Sequence, residues 1–158
     1  MATRDFHLSY TVYDSVDALP SEDAALMRAA LDATRLSYAP YSRFRVGAAA
    51  RMQSGAIVSG SNQENASYPV GICAERTLLS VASTLYPGEP IDTLAVTAAG
   101  SREPISPCGI CRQSLLEFQG RTGRPLRLLM GGEFGPVWVV EDARGLLPLA
   151  FTTDNLLP

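Results

Sequence analysis

The chain has 158 residues, the length of one domain, which excludes a multidomain machine. Hydrophobic residues make up 46% and charged residues 18%, enough apolar material for one sizeable core and too much for a disordered chain. Lys and Arg total 13 against 16 Asp and Glu, and the resulting net charge of -3 argues against a nucleic-acid backbone as partner.

No apolar run approaches the roughly 18 to 20 residues that a membrane helix needs. The opening residues lack the basic start and apolar stretch of a secretory signal, so the expected address is the cytosol. The chain has 3 cysteines, an odd count that speaks against a disulfide framework and for free thiols or metal ligands.

In chain order, residues 1–20 read as an N-terminal appendage. Phe6, Leu8, Tyr10 and Val12 alternate with mostly polar neighbours, as in a short half-buried strand. A helix is predicted from Ser21 to Ser37, with Ser21 as N-cap, Glu22 and Asp23 at the positive end of the dipole, and Pro40 beyond its end. Val46 to Met52 and Ala56 to Ser61 form a hairpin around Ser54-Gly55. A loop then leads to a second helix, Cys73 to Leu85, closed by Pro87-Gly88. Ile91 to Ala98 reads as a buried strand. A third helix runs from Cys108 to Phe118 and is closed by Gly120; two strands follow, Leu126 to Met130 and Val137 to Val140. Arg121, Arg124 and Arg127 read as a solvated surface. Strands alternating with helices predict an α/β layered domain with a mixed sheet.

The chemistry concentrates at two helix starts. Cys73 opens the second helix, and Cys108 and Cys111 open the third. Residues three apart share a helix face, so Cys108 and Cys111 can converge on one point. Helix N-termini favour thiolates. Three thiolates suit zinc and leave a fourth position open, as in a catalytic site. Glu75, two residues past Cys73, stands where it can shuttle protons beside such an ion. Buried structural thiols, or a redox-active Cys-x-x-Cys, would explain neither the third cysteine nor Glu75. His7, the only histidine, lies in the appendage, so a Ser-His or Cys-His mechanism is hard to build.

The blocks Tyr41-Ser42-Arg43-Phe44-Arg45-Val46-Gly47-Ala48-Ala49, Asn62-Gln63-Glu64-Asn65-Ala66, Cys73-Ala74-Glu75-Arg76-Thr77 and Pro107-Cys108-Gly109-Ile110-Cys111-Arg112-Gln113 together resemble the small, three-cysteine cytidine deaminases. The resemblance covers about Leu36 to the C-terminus and is weaker after Gly120. It implies a three-layer α/β/α fold with a mixed five-stranded sheet, spanning a catalytic domain of residues 21–158. It implies that Cys73, Cys108 and Cys111 bind zinc and that Glu75 is the general acid/base. Asn62 and Glu64 match the pair that recognises the sugar 3′-hydroxyl, Phe44 matches an aromatic beside the cytosine ring, and Ala74 matches a further substrate contact. Arg76 and Gln113 match groups that support the thiolates. Leu146-Leu147-Pro148-Leu149-Ala150-Phe151 resembles the family's ending, in which the Phe reaches a neighbouring subunit's site. Gln63 stands where the family often has Ile and is expected to point away from the sugar. The implied partners are a nucleoside and a homotetramer of this chain, with neither nucleic acid nor membrane.

The expected reaction is hydrolytic deamination of cytidine and 2′-deoxycytidine to uridine and 2′-deoxyuridine, with zinc-activated hydroxide attacking C4 and Glu75 shuttling the proton. A deaminase of a modified or antibiotic cytosine nucleoside is the nearest alternative. A non-catalytic zinc-stabilised binding module would need a fourth protein ligand. A thiol redox protein built on Cys108 and Cys111 would have no use for Glu75.

Overall fold

The hairpin around Ser54-Gly55 is the centre of the sheet's antiparallel half. Its strands are β2 (Val46–Met52) and β3 (Ile57–Ser61), paired from Gly47 opposite Ser61 to Arg51 opposite Ile57. Gly55 takes the positive φ of 88° that the tight turn requires. This computed structural model describes residues 1–156; the last two residues of the predicted catalytic domain, 157–158, lie outside the described residues.

The other strands are β1 (Thr11–Tyr13), β4 (Ile91–Ala98), β5 (Arg127–Gly131) and β6 (Val137–Val140), and the helices are α1 (Ser21–Ala33), α2 (Ala74–Leu85) and α3 (Gly109–Thr122). The sheet order is β1-β6-β5-β4-β2-β3. Among the strands of the described residues only β4 and β5 pair in parallel, joined by the crossover that contains α3. Helix α2 carries the chain from β3 over β2 to β4. Helix α1 packs on one face of the sheet, against Ala49, Ala95, Leu129 and Val139. Helices α2 and α3 cover the other, where Leu78, Leu94, Leu115 and Leu128 are fully or almost fully buried. The three-layer α/β/α expectation is therefore met.

Small residues at the middle of the sheet set how closely these layers approach. Ala48, Ala49 and Ala50 on β2 are completely buried, because helices press on both faces of the strand. A Cβ on Gly47 would stand 2.0 Å from the Ala30 carbonyl oxygen of α1. One on Gly60 would stand 2.8 Å from the Ala74 oxygen and 2.6 Å from the Leu78 nitrogen of α2. Gly60 thus lets the first turn of α2 lie directly on β3, which fixes where Cys73 and Glu75 emerge.

The structure departs from the predicted elements in four places. The sheet has six strands rather than five, because the appendage adds β1 antiparallel to the free edge of β6, with Thr11 opposite Val139. That strand is short, and Phe6, Leu8, Tyr10 and Val12 all stay exposed; Tyr10 lies 5.6 Å from the Trp138 ring. Helix α1 stops at Ala33 and tightens into a 3-10 turn over Thr34–Leu36, and Pro20, not Ser21, occupies its N-cap position. Helix α3 runs through Gly120 to Thr122 and ends at Gly123, whose φ of 67° supplies the left-handed cap. Arg127 is not a solvated residue: it bridges Asp23 at 2.7 Å and Glu141 at 3.1 Å, tying α1 to β5 and β6.

Candidate active site

Two helix starts and one returning loop meet at one end of the sheet. Cys73 is the N-cap of α2 and Cys108 the N-cap of α3, while Cys111 lies in the first turn of α3. The Cys73 carbonyl accepts from the Thr77 N–H at 3.0 Å, and the Cys108 carbonyl accepts from the Arg112 N–H at 2.9 Å. Each ligand candidate is thereby anchored by the first hydrogen bond of its helix. All three Sγ atoms lie within 4.8 Å of one another. Cys73 Sγ is 3.8 Å from Cys108 Sγ, and Cys108 Sγ is 3.5 Å from Cys111 Sγ. Tetrahedral zinc with Zn–S bonds of about 2.3 Å would separate its sulfurs by about 3.8 Å, so this donor set fits zinc. Cys108 is exposed, Cys73 half-buried and Cys111 buried, which leaves one side of the cluster open to a small molecule.

The thiols interact strongly. A hydrogen bond from Cys111 brings Cys73 down to about 6, against burial and the nearby Glu75 charge; Cys108 and the Arg76 charge help to lower it. Cys111, as the donor to Cys73 and a buried group, is pushed up in turn. Such a cluster readily gives up its first proton, as a metal site requires.

Glu75 is 4% exposed, in the first turn of α2 beside Cys111. Burial pushes its carboxyl above the ordinary range; its own backbone N–H and the Cys111 thiol offset part of that. A carboxyl raised in this way holds a proton more readily than an exposed one, as a proton carrier must.

The loop after β3 completes the cleft. Gln63 and Ile72 exchange two backbone hydrogen bonds of 2.9 Å, which closes the intervening loop and brings Asn62 and Glu64 to the same cleft as Cys73. That cleft has a volume of about 520 Å³. The Gln63 amide donates to the Leu36 carbonyl and the Ser61 hydroxyl and is thereby occupied within the fold. Asn62 is half built into the framework. Its Oδ1 accepts from the Ser37 hydroxyl at 2.5 Å and the Val46 N–H at 2.8 Å, and its Nδ2 donates to the Phe44 carbonyl at 2.9 Å. One N–H of that amide is left for a ligand. Glu64 is gripped by the turn at Tyr41-Ser42: both backbone N–H groups and the Ser42 hydroxyl donate to its carboxylate.

The remaining candidates fall at different distances from this centre. Phe44 sits at the end of the same turn, 49% exposed as a residue and with its backbone tied to Ser42 and Asn62. Ala74 is fully buried against β3. Arg76 and Gln113 line a separate groove between α2 and α3, and the Gln113 amide donates to the Phe151 carbonyl at 3.0 Å. Phe151 itself borders a hollow at the C-terminal half of α3, away from the cleft beside Cys73.

Two residues escaped the sequence reasoning. Arg112 donates to the Pro107 carbonyl at 2.8 Å, the Ser106 hydroxyl at 3.0 Å and the Leu146 carbonyl at 3.2 Å. It holds the turn that presents Cys108. Its place directly after Cys111 was visible, but its partners are made by folding. Ser42 was likewise visible only as part of a motif.

Comparisons with known proteins agree with this geometry. The family model described as the cytidine and deoxycytidylate deaminase zinc-binding region matches residues 20–123. A protein of Halalkalibacterium halodurans named cytidine deaminase is 38% identical over 132 residues, covering 83% of this chain and 95% of that protein. A cytidine deaminase of Mycobacterium tuberculosis is 40% identical over 139 residues, covering 87% of this chain and 96% of its own. The crystal structure of a cytidine deaminase from Burkholderia pseudomallei is 40% identical and superposes with a TM-score of 0.73, covering 84% of this chain and 100% of that one.

Proposed function

The chain belongs to the cytidine and deoxycytidylate deaminase family, and we infer that it is a zinc-dependent cytidine deaminase, converting cytidine and 2′-deoxycytidine with water to uridine and 2′-deoxyuridine and releasing ammonia. The observation that carries this reading is the convergence of three Sγ atoms beside a buried glutamate at the start of α2. Cys73, Cys108 and Cys111 would hold the ion. Bound zinc supplies a Lewis acid that makes hydroxide available near neutral pH. Glu75 accepts the proton that water gives up and passes it to ring N3, which leaves C4 more electrophilic. Once the hydroxyl of water has added to C4, Glu75 takes the proton of that hydroxyl and delivers it to the amino group, which leaves as ammonia as the C4 carbonyl forms. The raised position of the Glu75 carboxyl supports this two-way role.

Asn62 and Glu64 would bind the sugar 3′-hydroxyl. The free N–H of Asn62 can donate to that oxygen, and the Glu64 carboxylate can accept its proton. Phe44 would flank the base, whereas Ala74, fully buried against β3, offers the substrate no surface in this structure. Arg76 lends its charge to the thiolates across the first turn of α2, and Gln113 acts through the tail. An antibiotic or otherwise modified cytosine nucleoside would use the same machinery; the paired sugar groups favour the plain nucleoside.

We propose that residues 1–20 are an appendage to a catalytic domain of residues 21–158; the family match beginning at residue 20 supports this division. We also propose a homotetramer with shared sites. Tyr41, Tyr68 and Val70 stay exposed at or near the cleft mouth, and the 58% exposed Phe151 faces away from its own chain's cleft, as a residue serving a neighbour would. Among the described residues no helix is long and apolar enough to cross a membrane. We place the enzyme in the cytosol, where reducing conditions keep a three-thiol site available for metal.

The test is uridine formation from cytidine by the zinc-loaded protein beside Glu75→Ala. Turnover by the wild type is expected, with kcat lower by about 10³-fold in the variant at unchanged zinc content. A wild type that holds zinc but leaves both nucleosides untouched would sink the assignment.

A further inference from the structure

Ser42 stands outside every role assigned so far, yet its hydroxyl joins two residues at the mouth of the cleft. Its hydroxyl donates to Glu64 Oε1, and the Phe44 N–H donates to the same hydroxyl oxygen at 3.0 Å. The Tyr41 and Ser42 N–H groups reach Glu64 Oε2 at 2.9 and 3.3 Å. Arg43 completes the turn at a φ of 60°, a left-handed conformation uncommon for a residue with a side chain. The backbone is therefore bent to aim these donors at one carboxylate.

We propose that Ser42 is a positioning residue for substrate: its hydroxyl locks the Glu64 carboxylate to the Phe44 backbone, so that the sugar contact and the base-flanking ring are held as one unit. The proposal rests on the assignment of Glu64 to the sugar 3′-hydroxyl. A carboxylate offers about four lone-pair sites. Three are taken by the turn, and the remaining one faces a ligand with its direction already chosen. Without the Ser42 hydroxyl, Glu64 Oε1 has no protein donor among the described contacts and the carboxylate can rotate about its last bond. The ordering cost then falls on the substrate. The Phe44 N–H loses its acceptor in the same step, which loosens the ring beside the base.

Kinetics on two substrates test this. The wild type, Ser42→Ala and Ser42→Thr are assayed with cytidine and with 3′-deoxycytidine, which lacks the hydroxyl in question. The wild type is expected to favour cytidine through KM. Ser42→Ala should raise KM for cytidine about tenfold, leave kcat within about twofold and raise KM for 3′-deoxycytidine no more than about threefold, the part owed to the loosened Phe44. Ser42→Thr, which keeps the hydroxyl, should return KM for cytidine to within about threefold of the wild type. If the wild type treats the two substrates alike, the sugar reading of Glu64 fails and the proposal falls with it. If the wild type discriminates but Ser42→Ala leaves cytidine KM unchanged, weakens both substrates equally, or is not rescued by Thr, the positioning role alone is overturned.

Discussion

Cys73, Cys108 and Cys111 meet because two helices begin there, whereas Asn62 and Glu64 are held in place by the segment 37–46, 16 to 25 residues earlier in the chain. The first arrangement needs little beyond secondary structure. A helix start fixes the backbone of its N-cap, the dipole favours thiolate, and a three-residue spacing puts Cys108 and Cys111 on one face. The second is a network of side-chain hydrogen bonds at the surface, in which Asn62 and Glu64 are parts of the framework as well as the proposed contacts for substrate. Removing a group should therefore have different consequences at the two ends. At the metal end it removes chemistry; at the sugar end it costs binding and fold together.

The largest effect is expected from Cys111→Ala. Its sulfur is completely buried between the other two ligands and Glu75, and water cannot take its place as a charged donor. Zinc should fall from about one ion per chain to near none, with uridine formation abolished. Metal analysis of the purified variant decides this, and a variant that keeps zinc and turns over cytidine would show that the cluster is not the site. A smaller effect separates ligands from their support. Arg112 braces the turn ahead of Cys108 through two carbonyls and a hydroxyl. Arg112→Gln should weaken zinc about 10- to 100-fold, read by competition with a chelator. Arg112→Lys keeps the charge and loses the planar fork. Full recovery in Lys would mean that charge, and not the bracing of the turn, is what Arg112 contributes.

At the sugar end, Asn62→Ala removes the shared partner of Ser37, Val46 and Phe44, and with it the join between β2 and the turn before it. A loss of about 1 to 3 kcal/mol in urea unfolding is expected, together with a rise in KM. Asn62→Asp retains the acceptor for Ser37 and Val46 and gives up both N–H groups, the one held by the Phe44 carbonyl included. If Asp recovers stability but not KM, the amide side serves binding, by meeting substrate or by holding Phe44, and the acceptor side is structural. Equal recovery of both would erase the distinction drawn between the two ends.

The same contrast explains what could be seen in the sequence. The strands β2, β4 and β6 stand where apolar patterning put them, and Cys73 and Cys108 sit at helix starts as their flanking residues implied. The three thiols and Glu75 were legible because their chemistry is carried by local spacing. The sixth strand was only half legible. An alternating segment was visible at Phe6 to Val12, but its pairing with the edge of β6 depends on residues more than a hundred positions away, and so few residues pair that the alternating side chains stay exposed. The end of α3 was misplaced because Gly120, tolerated on an exposed helix face, resembles a stop as much as Gly123 does. Ser42 and Arg112 could not be assigned in advance, since their meaning lies in partners up to 34 residues distant.

The smallest expected effect concerns pH, and it bears directly on the sugar end. The Glu64 carboxyl is held below its ordinary value of 4.5, first by the Ser42 hydroxyl and, against the opposing effect of desolvation, by the Tyr41 and Ser42 N–H groups. A carboxyl whose folded value is depressed contributes fully above its unfolded value, and that contribution is lost only as pH falls through the lower, folded value. Glu64 should therefore remain an anionic acceptor across the whole neutral and mildly acidic range. KM for cytidine should carry no Glu64 titration between about pH 7 and about pH 5, and the carboxyl carbon signal of Glu64 should titrate below its ordinary position. In Ser42→Ala the main cause of the depression is gone, so the titration should move back up toward the ordinary value while the wild-type behaviour near neutrality persists. A wild-type Glu64 that titrates at or above 4.5 would mean that the turn does not grip the carboxylate in solution. The sugar end would then be an open surface that substrate must organise for itself, and its difference from the helix-anchored metal end would be larger still.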